Sequence, residues 1–355
     1  MNKHKIAVIA GDGVGPEVIG EALKVAGVLK KKYGLPLEFE EFPYSADYYL
    51  SKGITIPPSA YSEWPRLYSA VLLGALGDPR VPSNIHAADI LLGLRFKLDL
   101  YVNFRPVRLL NTDLCPLKHV TDREQVNFVV FRENTEDVYA GSGGSLKQGT
   151  PHETAVENCI YTYRGVERII RAAFDYARAN GLAAVLMSDK SNIMRYVGTL
   201  WQRLFKEIGE AYGDIKKEHM YIDALCMEVV RNPSRLKVVV TSNMFGDILT
   251  DVAAQVQGGM GVAASVNYNP EDTFFLGMFE PVHGSAPDIA GKNKANPTAA
   301  ILCLHLLLRR LGFTDVAQTL HEAVERSVSE KVLTPDLGGT HTTTEVGDFI
   351  CKELR

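Results

Sequence analysis

Ile6-Ala7-Val8-Ile9-Ala10-Gly11-Asp12-Gly13-Val14-Gly15-Pro16-Glu17 is the stretch on which the fold turns. The apolar run at 6–10, bounded by charge and glycine, reads as a buried strand. Residues 11–15 make a turn. A helix follows, with Pro16 near its first position and Glu17 in its first turn. Val18, Ala22, Val25, Ala26 and Leu29 then recur at helical spacing. Strand, glycine turn and helix make an α/β unit. The glycines do not fit the dinucleotide fingerprint Gly-x-Gly-x-x-Gly, because Pro16 stands where the third glycine belongs. The stretch predicts an α/β protein without an orthodox Rossmann pyrophosphate site.

The same pattern continues outward. Residues 37–42 alternate like a strand, and 70–73 read as a buried strand ending in Gly74-Ala75-Leu76-Gly77-Asp78-Pro79. Residues 91–100 look helical and 101–105 extended. Strands are expected at 128–131, 183–187 and 238–241. Helices are expected at 165–180, 195–210, from about Gly246, at 298–311 and at 316–330. Gly258-Gly259-Met260-Gly261 is a break. No linker cuts the chain in two. The pattern is compatible with a middle domain inserted into a split outer one, with crossings near Arg105 and Gly258.

Composition narrows the function. A chain of 355 residues needs no disulfide or structural metal to bury a core. A net charge of −4 argues against nucleic acid as the main partner. Cys115, Cys159, Cys226, Cys303 and Cys351 form no C-x-x-C pair, and read as buried thiols in a reducing compartment. The most apolar stretch, 299–308, is far short of the ~20 residues of a membrane span. The N-terminus is broken too early for a signal peptide. A cytoplasmic protein is expected.

Asp247 and Asp251 lie four residues apart, just after the strand at 238–241. On a helix both carboxylates share a face and repel unless something positive lies between them. Oxygen-only ligands suit Mg²⁺ or Mn²⁺; a solvated helix face is the plainer reading. Asp223 is a possible third ligand. Arg95, Arg105 and Arg132 each follow apolar residues near the end of an element, and suit a dicarboxylate or ordinary ion pairs. Tyr139 and Lys190 are candidate proton carriers, or structural residues. In His283-Gly284-Ser285-Ala286-Pro287-Asp288-Ile289-Ala290-Gly291, the acid can accept hydrogen bonds from a ribose diol and repel a 2′-phosphate, which favours NAD. A surface loop is the alternative.

Taken in order, these motifs resemble the β-decarboxylating dehydrogenases, which act on isopropylmalate, isocitrate, homoisocitrate, tartrate and D-malate. The resemblance spans nearly the whole chain. It is carried by residues 11–17, Leu94-Arg95, Asn103-Phe104-Arg105-Pro106, Arg132-Glu133-Asn134-Thr135-Glu136 with Tyr139, Asp189-Lys190-Ser191-Asn192, 243–251 and 280–288. It implies an isocitrate/isopropylmalate dehydrogenase-like two-domain α/β fold, in which a large sheet flanked by helices carries an inserted smaller domain. Residues 1–104 plus 259–355 would form the large NAD-binding domain. Residues 105–258 would form the small dimerisation and metal/substrate domain. It further implies a homodimer with shared active sites and no membrane or nucleic-acid partner.

By the same resemblance, Arg95, Arg105 and Arg132 hold the malate carboxylates. Asp223, Asp247 and Asp251 bind Mg²⁺ or Mn²⁺, with Asp223 also at the substrate and supplied by the second subunit. Lys190, from that subunit too, takes the C2 hydroxyl proton. Tyr139 protonates the enolate, and Asn192 lies near substrate and nicotinamide. NAD contacts fall at Gly74, Ala75, His283, Gly284, Ser285, Ala286, Asp288, Ile289 and Asn296.

Isocitrate-using members resemble one another in a Ser and an Asn six and four residues before the first arginine. Here Asp89 and Leu91 stand there, so isocitrate and homoisocitrate are rejected. Leu91, Leu92 and Ile193 form an apolar wall that suits the isopropyl group of a 3-substituted malate, the leucine-biosynthesis substrate. D-malate/tartrate oxidation is the alternative, and a non-catalytic regulatory subunit is the alternative of another class. Three departures stand out: Asp137-Val138 in place of the usual Gly-x before Tyr139, His86-Ala87-Ala88-Asp89 without the Arg or Glu usual before the leucine pair, and Ile193 in place of valine or glycine.

Overall fold

A computed structural model describes residues 3–355. Its strands are β1 His4–Ile9, β2 Leu37–Phe42, β3 Ala70–Leu73, β4 Val102–Arg108, β5 Asn127–Glu133, β6 Gly143–Leu146, β7 Thr154–Glu157, β8 Ala184–Asp189, β9 Lys216–Tyr221, β10 Val238–Thr241, β11 Ala264–Tyr268 and β12 Met278–Pro281. The chain forms two compact units. The first runs to Leu100 and includes Arg108–Val126 and Ala254–Arg355; the second is Tyr101–Val107 with Asn127–Ala253.

These limits differ from the single insertion expected at 105–258. Residues 108–126 return to the first unit because their contacts lie there. The amide of Arg108 donates to Gln257, Arg123 pairs with Glu325 at 2.7 Å, and Leu114 packs against Gly258.

In the first unit the strands lie in the order β2-β1-β3-β12-β11. β2, β1, β3 and β12 run parallel, and β11 is antiparallel to β12. β3 is buried throughout, as expected of a parallel strand covered on both faces. Parallel strands send their following loops to one edge, so residues 10–14, 43–45 and 74–79 gather there. The helix Gly15–Tyr33 starts on Pro16, buries Val18, Ala22, Val25, Ala26 and Leu29, and stops at left-handed Gly34. The helix Thr298–Arg310 is buried almost all round and packs on β11 and β12. The most apolar stretch of the sequence is therefore a core helix. No helix among the described residues is long and apolar enough to cross a membrane.

In the second unit the order is β4-β5-β10-β8-β9. β5, β10, β8 and β9 are parallel, with Thr241 opposite Arg132 and Ser188, and Asp189 opposite Tyr221. Their carboxyl ends therefore form one row, the edge where open α/β sheets place ligands. The helix Tyr163–Ala179 covers β5, β10 and β8 with an apolar face. β6 and β7 make a separate hairpin in which every strand residue is exposed.

Two local expectations shift. The helix after β10 begins at Asn243, not near Gly246, and runs to Val256. Residues 91–100 are not one helix: a π-turn spans Ala88–Leu92, a short helix spans Gly93–Lys97, and β4 follows.

Candidate active site

The carboxyl-end row of the second unit builds a dense polar cluster. Arg132 is the last residue but one of β5 and is 1% exposed. Its Nε donates to Asn243 Oδ1 at 2.8 Å and its Nη1 to Asp247 Oδ1 at 2.5 Å. It reaches them because residue 246 is glycine: a Cβ there would lie 2.6 Å from Arg132 Cγ. Arg105, buried on β4, donates to Asn103 Oδ1 at 2.8 Å and to Thr250 Oγ1 at 2.5 Å, and its Nη2 lies 3.4 Å from Asp247. The Tyr139 hydroxyl donates to the other Asp247 oxygen at 2.7 Å. Its ring lies under the Arg132 guanidinium, 5.3 Å from the centroid. Four of the expected site residues, Arg105, Arg132, Tyr139 and Asp247, therefore meet at one helix start.

Asp251 sits one turn beyond Asp247. Its carboxyl is pushed above the usual range by burial and then by Asp247, against the pull of Arg105 and Arg132. That unrelieved repulsion is what a hard cation between two carboxylates would remove, so the donor set fits Mg²⁺ or Mn²⁺. Among the described residues, no three Asp, Glu, His or Cys side chains gather where an ion could be held.

The third expected ligand is elsewhere. β8 and β9 end side by side, which brings Lys190 and Asp223 together at 2.7 Å. Asp223 is the more exposed of the two, and Lys190 holds its carboxyl below the usual range. Asp189 anchors this corner by accepting from His219 at 2.9 Å, Gln202 at 2.8 Å and the Ser191 amide at 3.1 Å. Burial works against its ionisation, but these donors prevail and its carboxyl stays low. Asn192 is exposed, and Ile193 is 71% exposed.

The remaining expected residues belong to the first unit. Leu91 and Leu92 lie in the π-turn, half-buried, and Leu91 packs against the apolar core. Arg95 is buried and donates to Glu280 Oε1 at 2.6 Å, which also accepts from Asn267 at 2.8 Å. Gly74 and Ala75 follow β3, and the Ala75 carbonyl accepts the Asp12 amide at 2.7 Å. In the loop after β12, the Ser285 carbonyl accepts the Val14 amide at 2.8 Å. Gly13 has φ 57°, and any Cβ on it would run into that same carbonyl. Ala286 takes a positive φ of 39°, and the Ile289 amide donates back to its carbonyl. Asp288 is exposed. Burial pushes the His283 imidazole down, and its Nδ1 lies 3.0 Å from the Gly284 carbonyl. Asn296 is fully engaged: its nitrogen donates to Asp336 and its oxygen accepts the Thr298 amide.

Four acids escaped the sequence reading as positioning groups. Asp12 accepts from the amides of Ala46 and Gly77 and lies 2.7 Å from buried His86, joining three loops. Glu17 accepts from the amides of Gly291 and Asn293. Glu280 is the partner of Arg95. Asp137, fully buried, adopts φ 74°, ψ −153°, a conformation that costs a non-glycine residue about 1–3 kcal/mol. Asp12, Glu17 and Glu280 lie in motifs already singled out, but only spatial partners show their use.

The profile of the isocitrate/isopropylmalate dehydrogenase family matches residues 5–350. A 3-isopropylmalate dehydrogenase of Thermobifida fusca is 45% identical over 350 residues, covering 99% of this chain and 97% of that protein. One of Nocardia farcinica is 44% identical, covering 99% and 100%. The crystal structure of isocitrate dehydrogenase from Methylococcus capsulatus superposes with a TM-score of 0.88 at 33% identity, covering 99% of both chains. The Asp247 cluster, the parallel row of strand ends that holds it and these full-length similarities agree: the chain belongs to the isocitrate/isopropylmalate dehydrogenase family.

Proposed function

We propose that the chain catalyses NAD⁺-dependent oxidative decarboxylation of (2R,3S)-3-isopropylmalate to 4-methyl-2-oxopentanoate and CO₂, the dehydrogenase step of leucine biosynthesis. The observation that carries this is the convergence of Arg105, Arg132 and Tyr139 on Asp247. Two buried guanidiniums offer planar donors for a carboxylate, beside a phenol and paired acids. The full-length relatives named 3-isopropylmalate dehydrogenase support the choice of substrate.

Asp247 and Asp251, with Asp223 of the partner subunit, would hold Mg²⁺ or Mn²⁺; Gly74, Ala75, residues 283–286, Asp288, Ile289 and Asn296 would hold NAD⁺. When bound, the ion supplies Lewis-acid stabilisation of charge on substrate oxygens, and NAD⁺ accepts a hydride from C2. Arg95, Arg105 and Arg132 bind the two carboxylates. Lys190 takes the C2 hydroxyl proton. Loss of CO₂ leaves an electron pair at C3, and Tyr139 gives its phenolic proton to that carbon. Leu91, Leu92 and Ile193 enclose the isopropyl group, whose burial contributes about 2 kcal/mol. Asn192 lies near substrate and nicotinamide. Asp288 favours NAD⁺ over NADP⁺. The cytoplasm is the compartment, which five free thiols support.

The unit is a homodimer in which each copy completes the other's site. Support comes from the exposed Lys190–Asp223 corner and the apolar side chains on the same unit's surface: Ile193, Tyr196 at 94% exposure, Met227 and Val230. The exposed β6–β7 hairpin offers a further surface for a second copy.

The test is kcat/KM for 3-isopropylmalate, D-malate, tartrate and isocitrate, each with NAD⁺ and NADP⁺. Activity on D-malate without activity on 3-isopropylmalate would replace the substrate. NADP⁺ preference would remove the role of Asp288. A purified chain inactive on all four would favour a regulatory subunit.

A further inference from the structure

Asp137 stands two positions before Tyr139 in a backbone conformation close to glycine-only. Its side chain is fully buried, so the carboxylate requires partners. Oδ1 accepts the amide of Val138 at 2.8 Å, and Oδ2 accepts the amide of Met244 at 3.0 Å. Met244 lies in the first turn of the helix Asn243–Val256, where amides lack intrahelical acceptors. One carboxylate thus fastens the Tyr139 turn to the start of the helix that carries Asp247. The backbone is fixed as well, since the Asp137 amide donates to the Ile160 carbonyl at 2.8 Å. The Tyr161 hydroxyl and Cys159 thiol face the same carboxylate; both are pushed up, by burial first and by Asp137 second. A second tie, from Asn243 Nδ2 to the Glu136 carbonyl at 3.1 Å, holds the other side of the turn.

We propose that Asp137 is a positioning residue that locks the Tyr139 phenol onto the Asp247 helix and so sets the rate of proton delivery to C3, without touching substrate. This rests on the reading of Tyr139 as the proton donor. In that step the Tyr139 O–H bond breaks, the C3–H bond forms, and the phenolate regains its proton from solvent. Glycine at position 137 relaxes the backbone but leaves the Val138 and Met244 amides without the carboxylate. Folding then survives while aim is lost. A misplacement of about 1 Å can cost roughly 100-fold in rate.

The experiment compares the full chain with Asp137→Gly, Tyr161→Phe and Tyr139→Phe, in the presence of Mg²⁺. Two readouts are used. One is kcat and KM for 3-isopropylmalate with NAD⁺. The other is exchange of the C3 protons of 4-methyl-2-oxopentanoate with D₂O, followed by NMR with NADH present; it reports proton transfer without hydride transfer. For Asp137→Gly, kcat and exchange should fall together by about 10- to 100-fold, with KM within about threefold and melting unchanged or raised. Tyr161→Phe should lower both rates in the same ratio but less, and it serves if Asp137→Gly does not fold. Wild-type exchange in both of these variants, with Tyr139→Phe inactive, overturns the proposal and leaves the reading of Tyr139 standing. A rise in KM with unchanged exchange also overturns it. Wild-type exchange in Tyr139→Phe overturns the reading on which it rests.

Discussion

Arg132 holds Asp247 at 2.5 Å from a position that is 1% exposed, and spends its Nε on Asn243 at 2.8 Å. The planar fork makes both contacts at once; an ammonium on a flexible stem cannot. Arg132→Lys should lower kcat/KM for 3-isopropylmalate by about 100-fold and cost about 1–3 kcal/mol of stability. Steady-state kinetics and urea unfolding check this. A lysine variant within threefold of the parent would show that charge alone suffices.

Gly246→Ala places a Cβ 2.6 Å from Arg132 Cγ, against a side chain with no room to retreat. Overpacking of this kind costs about 1–3 kcal/mol. On the proposed role of Arg132 in holding a substrate carboxylate, KM should rise about tenfold or more alongside the loss of stability. A fully active, equally stable alanine variant would show that Arg132 yields without consequence.

In the proposed homodimer, Lys190 and Tyr139 of each site come from different subunits. Lys190→Ala and Tyr139→Phe should each be inactive alone. After mixing under conditions that exchange subunits, about one quarter of parental activity should return, since half the dimers are hybrids and each hybrid has one intact site. Mixing that restores nothing, with exchange confirmed by mass, would place both residues in one subunit's site.

His305 and His321 are buried with ring centroids 5.0 Å apart. Burial, then Arg108, His305, Arg123 and Arg309, push the His321 imidazole down to about 3, against the pull of Glu325, whose Oε1 lies 3.0 Å from its Nε2 and is itself paired with Arg123. His305 is lowered by burial, against the Ala317 carbonyl, and then by Arg309 and Arg108. The unfolded chain binds protons here near pH 6.5 while the folded chain does not. The stability this contributes is present above that pH and is lost as pH falls toward 3. Melting temperature should therefore drop between pH 7 and pH 5, and His321→Gln should flatten that slope. An unchanged slope in the variant would exclude His321 as its source.

Strands marked by an apolar run or by strand-like alternation were legible. β2, β3 and β10 coincide with their expected limits, as does the helix Arg195–Glu210. β9 was not: Lys-Lys-Glu-His-Met-Tyr is an edge strand, mostly exposed, with no apolar run to mark it. The β6–β7 hairpin was missed for the same reason. Residues 108–126 read as part of the insertion because their anchors, Gln257, Gly258 and Glu325, lie far along the chain. The site divides similarly. The Asp247–Asp251 spacing and the arginines at element ends were visible. Glu280 as the partner of Arg95, 185 positions away, was not. Nor was the strain at Asp137, where sequence shows only that glycine is missing.

The first motif in the chain meets the main chain of the loop after β12 at three residues: Gly13 and Val14 lie against the Ser285 carbonyl, and the Glu17 carboxylate accepts the amides of Gly291 and Asn293. Anyone redesigning that loop, the proposed NAD⁺ contact, for another nucleotide inherits this brace. Side chains at 286–289 can be exchanged freely only while the main-chain course at 285, 291 and 293 is kept. A transplanted loop from a distant relative must bring its own counterpart of residues 13–17 or lose its register. The unit of cofactor engineering here is a pair of segments some 270 residues apart, joined at Glu17 and Gly291.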